Sequence, residues 1–107
     1  MRAATVCAAL TACAALAHAQ QPSFAAPNLT ERGVRDMAAN CAPCHGTAGK
    51  AVTGSGVRKL AGREDVAPLL RAFRDGRRES TVMQQIAKGY TDAEIDTLGG
   101  YFAGAAR

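Results

Sequence analysis

The chain has 107 residues, 48% of them hydrophobic and 21% charged, and thirteen Lys and Arg against nine Asp and Glu give a formal charge of +4. That is room for one small domain, globular by composition, and it excludes a large enzyme with a substrate domain of its own. With three Phe, two Tyr and no Trp, such a chain buries little surface by itself and gains from a staple, metal or cofactor.

Met1-Arg2 is a short positive start, followed by an Ala-rich apolar run to Leu16 and the small-x-small triplet Ala17-His18-Ala19. Together these predict a secretory signal peptide over residues 1–19, a mature chain beginning at Gln20, and a periplasmic location. The run is shorter than a membrane-spanning helix needs. Leu10-Thr11-Ala12-Cys13 also resembles a lipoprotein cleavage box, which would leave a lipid on Cys13, but the apolar run continues past that cysteine. Removing the signal leaves Cys41 and Cys44 as the only cysteines. A disulfide between two residues so close would shut almost no loop and stabilise little, so the pair needs another purpose.

Residues 20–28 hold Pro22 and Pro27 and no helical periodicity, and read as an extended leader ahead of a domain over 29–107. Asn28 is the expected cap of a first helix starting near Leu29, in which Val34, Met37 and Cys41 share one face. Between Gly46 and Gly62 the five glycines and the lack of any strand pattern predict a loop. A second helix is expected over Glu64–Asp75, with Val66, Leu69, Leu70 and Phe73 as its apolar face and Gly76 behind it. A short helix should run from Ser80 to about Lys88. Thr91 with Glu94 forms a capping box, after which Ile95, Leu98 and Phe102 recur at helical spacing. The fold class is all-α, with three or four helices.

Cys41-Ala42-Pro43-Cys44-His45 is the C-x-x-C-H signature of covalent c-type haem attachment. On one helical turn, two thiols reach the two vinyl groups of a single porphyrin, and the next residue carries its imidazole under the iron as proximal ligand. A thioredoxin-like C-x-x-C expects a βαβ context, which is absent from the pattern, and a zinc site would need a second pair of ligands. The other axial ligand must come from elsewhere. Met1 leaves with the signal and Met37 lies on the helix face that should pack in the core, so Met83 is the candidate distal ligand. Its ordinary alternative is that of a flexible core filler. Without Met83 as ligand the iron would have an open site, suiting a sensor or peroxidase, although the mature chain offers no distal His.

These residues resemble a class I cytochrome c over about Leu29 to Ala105. The resemblance implies a small fold of three or four helices around one haem. In it Gly33 and Met37, eight and four residues before Cys41, pack against Leu98 and Tyr101 of the last helix, and Met83 is the axial methionine. The stretches Ala72-Phe73-Arg74-Asp75-Gly76, Thr81-Val82-Met83 and Ile86-Ala87-Lys88-Gly89-Tyr90-Thr91-Asp92 are similar to the cytochrome subunits of flavocytochrome c sulfide dehydrogenases, and more loosely to cytochromes of the c4 and c553 types. The resemblance implies single-electron transfer without bond-making. The partner would be a redox protein: an FAD-containing sulfide dehydrogenase subunit, or a terminal oxidase for a free-standing carrier. Two departures stand out. The family's loop proline, whose carbonyl accepts from the proximal His, has no counterpart between His45 and Asp65. Gly99-Gly100 also stand where small residues such as Ala are usual, a cost that close approach to the Gly33 helix would offset.

The expected walls of the haem pocket are Leu60, Leu69, Leu70 and Phe73 together with Val82, Ile86, Leu98 and Phe102. The seven basic residues between Arg58 and Arg78, against three acidic ones, form a candidate docking stretch for an acidic partner; solvated helix faces and haem propionates are the competing explanation. Nucleic acid is not expected as a partner, since aromatic interleaving is absent.

Overall fold

The computed structural model describes residues 29–105, which contain five α-helices and no strand. They are α1 (Glu31–Ala39), α2 (Ala42–His45), α3 (Val66–Arg74), α4 (Met83–Ala87) and α5 (Asp92–Gly104), with one 3-10 turn over Thr47–Gly49. The signal, the leader, Cys13 and Asn28 lie outside the described residues. The all-α expectation holds, with one helix more than the pattern predicts because the C-x-x-C-H turn stands apart from α1. Pro43 in the first turn of α2 has no N–H to continue the α1 ladder. The chain tightens there through hydrogen bonds from Asn40 N to Met37 O (3.2 Å) and from Cys41 N to Ala38 O (3.1 Å).

The cap of α1 is Thr30, whose Oγ1 accepts from Gly33 N at 3.2 Å, so the helix starts two residues later than expected. At α5 the capping box forms as the sequence requires: Thr91 Oγ1 accepts from Glu94 N (3.3 Å) and the Glu94 carboxylate accepts from Thr91 N (2.8 Å). This satisfies two backbone donors that a helix start otherwise leaves unpaired.

α3 packs against both α4 and α5, and α1 packs against α5. The core is Ala38 of α1, Val66 and Leu70 of α3, Ala87 of α4, and Ile95, Leu98 and Phe102 of α5. Ile95, Leu98 and Phe102 are at most 1% exposed, as their spacing predicts. Met37 and Tyr101 lie half-buried against this cluster, in keeping with the expected contact between the first and last helices.

The glycine pair in α5 acts differently from the expectation. A Cβ on Gly99 would lie 2.8 Å from the Ala67 Cβ, so the tight approach is to α3 and not to α1, whereas a Cβ on Gly100 would meet nothing within 4 Å. Adjacent positions with the same helix propensity should therefore respond with opposite signs. Gly100→Ala is expected to stabilise the protein by about 0.5–1 kcal/mol. Gly99→Ala is expected to destabilise it, because the overpacking penalty of roughly 1–3 kcal/mol exceeds that gain. Adding Ala67→Gly to Gly99→Ala should recover part of the loss. Denaturant titration of the four holoproteins, wild type included, measures all three effects.

A second layer joins α3 to α5 outside the core. Arg71 pairs with Asp92 (3.2 Å) and Asp96, and Arg74 pairs with Asp92 (2.9 Å) and Asp75 (3.2 Å) while reaching the Tyr90 carbonyl. Hydrogen bonds from Arg74 first, then Arg71, hold the Asp92 carboxyl below its ordinary range. A carboxylate depressed in the folded state stabilises fully above its unfolded pKa, and that contribution disappears as pH falls through the folded value. The thermal midpoint should thus decline below about pH 4, the usual carboxylate range. Asp92→Asn should lower the midpoint at neutral pH and flatten the acid decline; equal acid slopes for the two proteins would remove Asp92 from the account.

Candidate functional site

The C-x-x-C-H residues occupy a single short helix. Cys41 is the residue preceding α2, Cys44 and His45 close it, and the His45 N–H returns to the Cys41 carbonyl at 2.9 Å. One turn therefore presents both thiols and the imidazole as a unit. The thiols are free: Cys44 is exposed, while Cys41 is half-buried against the core. Burial pushes the Cys41 thiol above its usual pKa.

The His45 ring is held from behind. Its Nδ1 lies 2.6 Å from the Arg58 carbonyl oxygen. A carbonyl only accepts, so Nδ1 carries a proton, and in the neutral ring Nε2 keeps the lone pair. This bond fixes tautomer and ring orientation together and raises ligand basicity. Arg58 thus supplies the carbonyl that the missing loop proline leaves to another residue. Sequence reasoning did not find it, because every residue of the loop offers the same backbone carbonyl.

The intervening loop is shaped by backbone contacts. Ala51 N donates to the His45 carbonyl (2.8 Å), and the Gly49 carbonyl accepts from both Leu60 N (2.8 Å) and Ala61 N (2.9 Å). Gly46 starts the reversal at φ +80°, where a Cβ would lie 2.7 Å from the Ala51 carbonyl carbon and oxygen. Only glycine combines that dihedral with that approach.

Met83 is the first residue of α4 and half-buried against the core, as Cys41 is. Ser80 Oγ accepts from the Met83 N–H at 3.1 Å, fixing the backbone from which the thioether projects.

The predicted pocket walls divide. Leu70, Leu98 and Phe102 are buried in the protein's own core, while Leu60 and Phe73 are half-buried at its edge. Val82 (55% exposed) and Ile86 (42%), one helical turn apart, leave their apolar surface uncovered, and so do Val52 (48%) and Val57 (40%), which the sequence reading did not single out.

The basic stretch is largely neutralised from within. Arg63 pairs with Asp65, Arg77 with Asp75 (3.0 Å), and Arg71 and Arg74 belong to the α3–α5 layer. Arg78 lies over the Phe73 ring, 5.4 Å from its centroid. Residues 58–78 are therefore not a continuous run of unpaired cations, because i,i+2 and interhelical carboxylates meet charges that are only counted in the sequence.

The family described as cytochrome c oxidase, cbb3-type, subunit III matches residues 28–102. The cytochrome subunit of sulfide dehydrogenase from Chlorobaculum tepidum is 38% identical over 76 residues, which is 69% of this chain and 67% of that protein. This chain belongs to the class I c-type cytochromes. A thiosulfate dehydrogenase electron acceptor from Thiomonas intermedia is 37% identical over 68 residues, 62% of this cytochrome. The match spans about a third of that longer protein (31%).

The cytochrome carries one covalently bound haem c and transfers electrons. Its own residues fit that group on chemical grounds. Among the described residues no cluster of three His, Cys, Asp or Glu side chains converges on a metal. One imidazole and one thioether retain an iron only where a macrocycle supplies the remaining donors. Two thiols on one turn, an imidazole anchored from its Nδ1 side, and the uncovered apolar surface of Val82 and Ile86 suit a flat apolar macrocycle with an iron centre. When bound, that group supplies the one-electron iron couple. Among the described residues, no helix is long and apolar enough to cross a membrane.

Proposed function

We propose that Cys41 and Cys44 hold the haem through thioethers, that His45 is the proximal ligand through Nε2, and that Met83 is the distal ligand. The observation that carries this reading is the His45 Nδ1–Arg58 carbonyl hydrogen bond. That bond orients the ring and leaves its second nitrogen available to coordinate, as the hydrogen-bond partners of metal-bound histidines do.

In this reading Ser80 sets the height of the Met83 backbone, and the thioether favours the ferrous state and raises the potential. The half-buried Leu60 and Phe73, with Val82 and Ile86, keep water from the macrocycle. A drier site penalises the more highly charged ferric form and acts in the same direction.

The signal over 1–19 and the leader over 20–28 deliver the 29–107 domain to the periplasm, where the oxidising compartment and haem attachment coincide. There the cytochrome accepts single electrons from a dehydrogenase of reduced sulfur compounds, in the manner that the name of its Chlorobaculum tepidum relative describes. The partner of first choice is an FAD-bearing subunit of sulfide dehydrogenase type; a free-standing carrier delivering to a terminal oxidase is the second reading. Purifying the holoprotein from its periplasm under mild conditions distinguishes them. A stable complex containing FAD, reduced by sulfide through the flavin, is expected. A monomer that sulfide-reduced flavoprotein fails to reduce would remove the dehydrogenase assignment.

A further inference from the structure

The internal pairing of Arg63, Arg71, Arg74 and Arg77 changes where the positive charge of this molecule is available. Among the described residues, the cations without a carboxylate partner fall in two groups. Arg32, Arg78 and Lys88 are scattered: Arg32 on α1, Arg78 stacked on Phe73, Lys88 turned to Gln85. Lys50, Arg58 and Lys59 belong instead to one loop.

That loop, residues 50–59, is exposed throughout and contains no acidic residue. It is closed at its base, where Gly49 O receives Leu60 N and Ala61 N, which brings Lys50 and Lys59 to the same end. Its two ends are tied to one side chain's surroundings: Ala51 N to the His45 carbonyl, and the Arg58 carbonyl to the His45 ring. Asp65 lies close enough to feel the Arg58 charge, but both its oxygens are held by Arg63. The same loop carries the exposed side chains of Val52 and Val57. Apolar patches with a charged rim are the usual make-up of transient protein interfaces.

We propose that the 50–59 loop is the docking surface of this cytochrome and that its occupant is an acidic protein surface of the electron-transfer partner. Lys50, Arg58 and Lys59 steer the approach, and Val52 and Val57 make the dry contact. Charge complementarity selects the sign of the partner. A loop anchored on His45 brings that partner to the imidazole side of the site. The inference rests on the proposed role of His45.

The test uses the holoprotein and two small redox probes of opposite charge, ferricyanide and hexaammineruthenium. Lys50→Glu/Lys59→Glu is compared with Arg32→Glu/Lys88→Glu, which carries the same net charge. Arg58 is left intact so that two charges are reversed in each variant. The loop variant should slow oxidation by ferricyanide roughly tenfold at low salt, flatten its ionic-strength dependence, and speed reaction with the cationic probe. The control variant should change each rate far less. Equal effects of the two variants would mean that only net charge acts, and would overturn the proposal. Spectrum and reduction potential are read in parallel. If both stay at wild-type values while the rates change as stated, the surface is assigned independently of the ligands. If His45→Ala leaves spectrum and potential unaltered, the ligand reading fails by itself.

Discussion

Replacing Met83 with alanine in the holoprotein is expected to abolish the near-infrared charge-transfer band of methionine-ligated ferric haem. The same change should lower the reduction potential by on the order of 0.1–0.3 V, a fraction of the ~0.8 V over which axial ligation sets haem potentials. The sign follows from ligand chemistry. A thioether is a soft donor that favours the ferrous iron, and the water that would replace it favours the ferric. Met83 is also half-buried against the core, so truncation removes packing as well as a ligand. Met83→Leu separates the two, since it keeps nearly the same volume and costs under about 1.5 kcal/mol in packing. The leucine variant should show the spectral and potential changes in full with most of the stability retained. A leucine variant with wild-type band and potential would return Met83 to the role of core filler.

The second large effect concerns the thiols. Cys41→Ser/Cys44→Ser, produced in a host able to attach haem, should yield a chain whose mass lacks the tetrapyrrole and whose helical signal is weak. A single core in a domain this small rarely supplies more than about 3–5 kcal/mol. Among the described residues its largest fully buried side chains are Phe102, Ile95 and Leu98, so loss of the cofactor should leave the domain largely unfolded. Cys44→Ser alone is the cleaner probe of attachment. Cys44 is exposed, whereas Cys41 packs against the cluster. Reduced yield with a single thioether is expected there. Recovery of the added haem mass in the double variant would end the thioether assignment.

What the sequence disclosed depended on whether the physics was local. The capping box at Thr91, the periodic burial of Ile95, Leu98 and Phe102, and the C-x-x-C-H turn are all set within a few residues, and each is present as read. The start of α1 was misread because Asn28 and Thr30 are both good capping residues, and only backbone geometry shows that Thr30 reaches the Gly33 N–H. Gly99 was matched to the wrong neighbour because its close contact with Ala67 joins residues 32 positions apart. The charge of the 58–78 stretch was overcounted for the same reason: Asp92 and Asp96 belong to a different helix in sequence and to the same ion-pair layer in space. The acceptor for His45 was invisible in principle, since it is a backbone carbonyl.

Arg58 performs two tasks with separate atoms. Its carbonyl anchors the imidazole, while its exposed guanidinium belongs to the charged loop. A side-chain substitution at this position leaves the anchor in place, so mutation can retune which proteins this carrier meets without disturbing the iron's environment. Alanine scanning would for that reason reveal the charge and miss the anchor. Weakening the acceptor itself requires altering the main chain, for instance by an amide-to-ester exchange at the bond following Arg58. Such a molecule should loosen the ring while presenting an unaltered face to its partners.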